Sequence, residues 1–155
     1  MKTAICYDSR HHGNTLKLLE SMASEGQVEL IDVTARRAVR LEDYDRVGFA
    51  SGIYYGGFQK GVLQFARQYL PEGKPVFFVY TCGMPRPGYT AAIGRIAREK
   101  GCPVLGAFGS RGYDTFGPFR LVGGIAKGHP DARDLEKARR FYRSLPDTGD
   151  RGAQK

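Results

Sequence analysis

The stretch Pro75-Val76-Phe77-Phe78-Val79-Tyr80 is the most apolar in the chain and shows none of the alternation expected of a strand with one wet face. A strand of this kind has to be covered on both sides, which places it centrally in a sheet with helices above and below. The flanking sequence fits that requirement. Thr3 to Tyr7, Val28 to Val33, Arg46 to Ser51 and Pro103 to Phe108 read as four more strands. Between them, Leu16, Leu18, Leu19 and Met22 recur at helical spacing, Val62 to Leu70 continues in the same period until Pro71, and Ala91, Ile93, Ile96 and Ala97 mark a helix closed by Gly101. A last helix is predicted over Asp131 to Leu145, with Leu135, Ala138, Phe141 and Tyr142 on its apolar face. Only a short arginine-rich segment separates the second and third strands, so any helix there must be short.

Strands alternating with helices, joined by right-handed crossovers, form a parallel sheet with helices on both faces. The expected fold is therefore an α/β three-layer sandwich around a five-stranded parallel sheet. A chain of 155 residues is the size of one domain, assigned to residues 1–145, with residues 146–155 a flexible C-terminal tail.

Composition removes several function classes. No apolar run approaches the roughly 20 residues that cross a bilayer, and MKTAICYDSR turns polar too soon for a signal peptide. A cytoplasmic protein without membrane contact is expected. Cys6, Cys82 and Cys102 are too scattered for a disulfide framework and form no CxxC pair, so they read as reduced thiols with no metal site. The net charge of +8 would suit nucleic acid if it were clustered. It is not clustered: the densest run, Arg133 to Arg143, is interleaved with Asp134 and Glu136 in the manner of a solvated helix face.

Parallel sheets of this type bind ligands at the carboxyl ends of their strands, so the segments Asp8 to Thr15, Gly52 to Phe58, Cys82 to Tyr89 and Ser110 to Pro118 carry the candidate chemistry. The first is rich in donors. Ser9, Arg10, His11, His12, Gly13, Asn14 and Thr15 lie where a helix begins, and the unpaired N–H groups and positive dipole end of that helix suit an anion. The plainer alternative is that Asn14 caps the helix and the histidines are merely exposed. Other anion chemistries fail on the residues. A cysteine phosphatase needs arginine where His12 stands, a triphosphate loop needs lysine before Thr15, and a phosphoacceptor receiver needs an aspartate where Ser51 stands.

Gly13-Asn14-Thr15, at the end of a first loop that follows a strand and opens a helix, resembles the phosphate-binding loop of the flavodoxin family. The order of the remaining loops is similar to that family over residues 1 to about 145. Upstream the chain departs from it, with Arg10 and His12 where hydroxyl residues are usual and Ser9 one position further back. The resemblance implies a flavodoxin-like fold and FMN as cofactor. It assigns to the flavin ring the second loop, Gly52, Ile53, Tyr54, Tyr55 and Gly56, with Tyr54 or Tyr55 stacking on the ring and Gly56 allowing a peptide to reorient. It assigns to the pyrimidine edge the third loop, Thr81, Cys82 and Gly83, with Tyr89 a second aromatic. Cys82 reads either as a redox thiol or as a small apolar filler. The connection Ser110 to Pro130 ends in Lys127-Gly128-His129-Pro130-Asp131, which resembles a stretch found in one branch of flavodoxin-domain proteins; the favoured reading is a helix entry begun by Pro130 or Asp131.

The function implied is one-electron transfer between redox partner proteins. The alternatives are an FMN-dependent NAD(P)H reductase of quinones or similar acceptors, and a flavin-free module for a phosphate ester. No catalytic side chain is assigned. The basic charge implies acidic partners, and Arg86 or Arg111 beside the ring would make its potential less negative than in acidic relatives.

Overall fold

A computed structural model describes residues 1–8, 13–35, 38–111 and 128–148. Six strands, β1 (Lys2–Asp8), β2 (Gln27–Asp32), β3 (Arg46–Tyr54), β4 (Gly57–Phe58), β5 (Val76–Cys82) and β6 (Val104–Arg111), are joined with four helices, α1 (Asn14–Ala23), α2 (Lys60–Tyr69), α3 (Ala91–Glu99) and α4 (Ala132–Ser144). The sheet order is β2-β1-β3-β5-β6, and every neighbouring pair along it is parallel. The short β4 folds back antiparallel on the end of β3. This is the three-layer α/β sandwich expected, with β4 as an addition.

Two cores follow from the alternation of side chains along the strands. On one face Ile5, Ala50, Phe77 and Val79 pack under Leu18, Leu19 and Met22 of α1 and Ala138 and Tyr142 of α4. On the other, Ala4, Cys6, Val47, Phe49 and Phe78 meet Val62 and Ala66 of α2 and Ile93, Ile96 and Ala97 of α3. Both Phe77 and Phe78 are buried, on opposite faces, which is why this part of the sequence has no polar alternation.

The short helix expected between β2 and β3 is absent among the described residues; a single 3-10 turn, Leu41–Asp43, stands there. The physical reason is composition. Val39 and Leu41 are its only large apolar residues between Thr34 and Tyr44, too few to give a helix a buried stripe. Two strands are also longer than expected. β3 continues through Tyr54 and β5 through Cys82, so Gly52 to Tyr54, Thr81 and Cys82 are strand rather than loop. β6 likewise includes Ser110 and Arg111, and residues 112–127 of the following connection lie outside the described residues.

At the opposite edge of the sheet the guanidinium of buried Arg46 donates to Thr3 Oγ1 (3.0 Å) and to the Pro146 carbonyl (3.2 Å). It also lies 4.9 Å from the centre of the Tyr142 ring, whose hydroxyl bonds Thr3 Oγ1 at 3.1 Å. The end of α4 and the first residues after it are thereby tied to β1 and β3.

Helix and strand glycines should respond oppositely to a methyl group. A Cβ on Gly48 would sit 2.5 Å from Phe77 Cζ, whereas one on Gly94 of α3 meets nothing within 4 Å. Gly48→Ala should cost about 1–3 kcal/mol by overpacking, and Gly94→Ala should gain about 0.5–1 kcal/mol of helix propensity. Urea unfolding of both variants reads the two signs.

Candidate functional site

The sheet's register lines up the ends of four strands. Asp8 of β1 stands beside Ser51 of β3, Gly52 beside Thr81 of β5, and Thr81 beside Ser110 of β6. The strand order reverses between β1 and β3, so the segments leaving them diverge to opposite faces and open a crevice.

On the α1 face, the helix begins immediately after Gly13, whose φ of 63° is left-handed and suits glycine. Gly13, not Asn14, is therefore the N-cap; Asn14 is the first helical residue and is buried. A glycine cap has no side chain to occupy the first-turn N–H groups, and the first turn carries no acidic residue. That end of α1 keeps its positive dipole available to an anion. Ser9, Arg10, His11 and His12 lie outside the described residues. Thr15 Oγ1 and Thr81 Oγ1 are 3.0 Å apart and buried, which fastens the start of α1 to the end of β5. Thr81 thus joins the first site segment to the third.

The second segment is a β-hairpin. Ile53 pairs with Phe58 and Tyr54 with Gly57, leaving Tyr55 and Gly56 as the turn. Their φ angles, 50° and 82°, are both left-handed, the pattern of a type I′ turn whose twist matches the strands. Gly56 meets this without strain; Tyr55, a bulky residue, does not. The two tyrosines part company here. Tyr55 is 94% exposed at the tip, whereas Tyr54 folds back: a Cβ on Gly52 would lie 3.4 Å from Tyr54 Cε2 and 3.7 Å from Thr81 Oγ1. Gly52 leaves the space that lets the Tyr54 ring lie over the strand end. Ile53 points to the α2 and α3 face and packs in that core.

In the third segment Thr81, Cys82 and Gly83 are buried. Tyr89 is buried too; its hydroxyl donates to the Met84 carbonyl at 2.6 Å and its ring meets Tyr80 edge-on at 5.7 Å. Burial raises the pKa of both phenols above the ordinary tyrosine value, so each remains a neutral donor at physiological pH. Tyr89 holds the turn from Met84 to Gly88 in place.

A cleft of about 890 Å³ lies between the hairpin, the first turns of α2 and α3, and Gly88 and Tyr89. Tyr54, Tyr55 and Gly56 line it, as do Asp8, Gln59 and Lys60. Gly13, Asn14, Thr15, Gly52 and Thr81 do not line it; they gather on the α1 side of the same edge. Asp8 is 1% exposed, and the Gln59 amide nitrogen donates to both its carboxylate oxygens, to Oδ1 at 2.9 Å. The Gln59 backbone N–H donates to Ser51 Oγ at 3.0 Å. Sequence reasoning passed over Asp8 and Gln59 as site residues, although an acidic residue closing an apolar strand was a usable signal for the first.

At the far end of the connection, Lys127 lies outside the described residues. Asp131, of the two candidates, starts α4 as its N-cap in a reciprocal capping box with Asp134. His129 Nδ1 lies 2.6 Å from Asp134 Oδ2. Gly128-His129-Pro130-Asp131 is thus a helix entry, and the hydrogen bonds it makes lower the pKa of the Asp131 carboxyl, those from Asp134 first.

A family model described as a flavodoxin domain matches residues 4–95. The chain belongs to the flavodoxin family. An uncharacterized protein of Methanocaldococcus jannaschii is 34% identical to this flavodoxin-family chain over 147 residues, covering 94% of this chain and 98% of that protein. Among solved structures, a flavodoxin from the domain Archaea is similar with a TM-score of 0.68 at 18% identity, covering 92% of this chain and 94% of its own. Oxidised flavodoxin 2 from Bacillus cereus has a TM-score of 0.66 at 18% identity, covering 92% and 96%. Rubredoxin oxygen:oxidoreductase from Desulfovibrio gigas has a TM-score of 0.64 at 19% identity; 93% of this flavodoxin-family chain aligns with 35% of that larger one. Among the described residues, no helix is long and apolar enough to cross a membrane.

Two stability effects follow from the site geometry. Thr15→Val or Thr81→Val leaves one buried hydroxyl without its partner and should cost about 1–3 kcal/mol, with the double variant costing less than the sum. Tyr55→Asn should raise stability by up to about 1 kcal/mol, because asparagine tolerates the left-handed turn. Denaturant titration of the four variants checks both.

Proposed function

We propose that this protein binds FMN at the carboxyl edge of its sheet and passes electrons singly between redox partners. The observation that carries the reading is the gathering, on the α1 side of the β1–β3 crevice, of a glycine-capped helix start free of acidic residues, the Thr15–Thr81 hydroxyl pair and the Tyr54 ring over Gly52. Membership in the flavodoxin family agrees with it.

The donor set fits the cofactor in two places. The first-turn N–H groups behind Gly13, with Asn14 and Thr15, suit the phosphate: they are donors at the positive end of a helix dipole. The sequence assigns Ser9, Arg10, His11 and His12 to the same phosphate. Gly52, Ile53, Tyr54, Tyr55 and Gly56 on one side and Thr81, Cys82, Gly83 and Tyr89 on the other would flank the ring, Tyr54 being the stacking residue because its ring already lies along the strand end rather than out in solvent. FMN, when bound, supplies the one-electron chemistry. The chain's residues orient it and bias the relative stability of its oxidised and reduced forms, with about 1.4 kcal/mol of bias worth about 60 mV for one electron. Arg86 and Arg111, both exposed at this edge, favour the more negatively charged reduced form, so the potential should be less negative than in acidic relatives.

Purified protein given FMN and freed of excess should retain a perturbed flavin absorption spectrum. Tyr54→Ala should weaken FMN binding about tenfold, equivalent to about 1.4 kcal/mol, while Tyr55→Ala leaves it nearly unchanged. Unchanged affinity in Tyr54→Ala contradicts the stacking assignment. Steady oxidation of NADPH or NADH with a quinone, without a partner reductase, would replace the carrier reading with the reductase one.

A further inference from the structure

Among the described residues, the start of α2 and the ends of β5 and β6 at the candidate-site edge carry exposed cations. Lys60 at the start of α2, Arg86 in the turn after β5 and Arg111 at the end of β6 are exposed, with Arg95 one turn further down α3. Among the described residues none of these four has an ion-pair partner. The cations of α4 differ: Arg139 and Arg143 are paired with Glu136, and Arg143 also with Glu25. Among the described residues the cations of this rim are therefore unpaired, whereas three of the five on α4 share ion pairs with Glu136 and Glu25.

Among the described residues, the carboxylates of the same edge are each engaged by hydrogen bonds. Asp8 is buried under Gln59, Asp32 is held by Thr34, and Asp131 and Asp134 are bound into the cap of α4 with His129. Glu42, Asp43 and Asp45 precede β3, while Glu72 and Glu99 lie at or beyond the last turns of α2 and α3, so topology puts all five at the opposite edge. Within this basic rim stands Tyr55, 94% exposed on a left-handed backbone that tyrosine tolerates poorly. Met84, 46% exposed, adds a second apolar group. Strain retained at an exposed aromatic is the mark of a functional position more than of packing, and tyrosine and arginine are among the residues enriched at the energetic centres of protein interfaces.

We infer that the rim of Lys60, Arg86 and Arg111 around Tyr55 is the docking surface for an acidic protein. Its unpaired positive charge steers a negatively charged partner to this edge, and the Tyr55 ring gives that partner an apolar anchor. The identity of the partner as a redox protein rests on the electron-carrier reading; the surface and its sign do not.

The test uses the full chain labelled with ¹⁵N and the paramagnetic trianion hexacyanochromate(III), with poly-L-glutamate as a diamagnetic competitor. Selective broadening of the amides of residues 55–61, of Met84, Arg86, Gly88 and Tyr89, and of Arg111 is expected, relieved by poly-L-glutamate, fading with salt and at least threefold weaker in a Lys60→Glu, Arg86→Glu variant whose other resonances show an intact fold. Broadening confined to residues 13–17, broadening spread over α4, indifference to the charge reversals, or failure of poly-L-glutamate to compete would each overturn the proposal. FMN is not needed for this measurement. Retention of FMN without the rim effect defeats the docking surface alone, and the rim effect without FMN retention defeats the FMN reading alone.

Discussion

Every strand of the main sheet points the same way, and that constraint arranges the rest of the molecule. Return segments must run back along the faces, as helices except between β2 and β3, so the loops that leave the strands all collect at one edge. The register then sets the spacing there: Asp8 beside Ser51, Gly52 beside Thr81, Thr81 beside Ser110. The Thr15–Thr81 contact brings the start of α1 onto the end of β5, so a helix N-terminus and a central strand share one small polar volume. Without the doubly buried β5 there would be no common edge and no site.

Side-chain parity divides that edge. Gly52, Tyr54 and Thr81 point to the α1 side, while Asp8, Ser51 and Ile53 point to the side of α2 and α3. The proposed phosphate contacts and the Tyr54 stacking contact belong to the first group. The cleft beneath the hairpin belongs to the second, with Asp8 held at its floor by Gln59. The hairpin is the element shared between them, since Tyr54 turns inward and Tyr55 outward from adjacent positions.

Much of this was legible in the residues. Pro75 to Tyr80 announced a central strand because neither face of it could be wet, and the periodicity of Leu16 to Met22 and Leu135 to Tyr142 located the helices that cover one side. Strand ends were less legible, because Gly52, Thr81 and Ser110 are small or polar residues that pattern reasoning gives to loops, while hydrogen bonds to neighbouring strands extend the ladder through them. The hairpin at Tyr55-Gly56 was hidden for a related reason: its turn uses tyrosine where asparagine or glycine is the usual signal. Asn14 looked like a cap by residue type, yet the left-handed geometry of Gly13 takes that position. The split between Tyr54 and Tyr55 was beyond sequence, since it depends on the space that Gly52 leaves beside Thr81.

The central claim is that the crevice at the β1–β3 switch, closed by Gly13, Thr15, Thr81 and Tyr54, is built for FMN. The visible absorption spectrum of the purified protein, after addition of FMN and removal of the excess, tests it most directly. A retained flavin band with shifted maxima, lost or much weakened in Tyr54→Ala, is the predicted result. A protein that returns from the column colourless would contradict the account and leave Gly13 to Thr15 as a helix start serving some other anion.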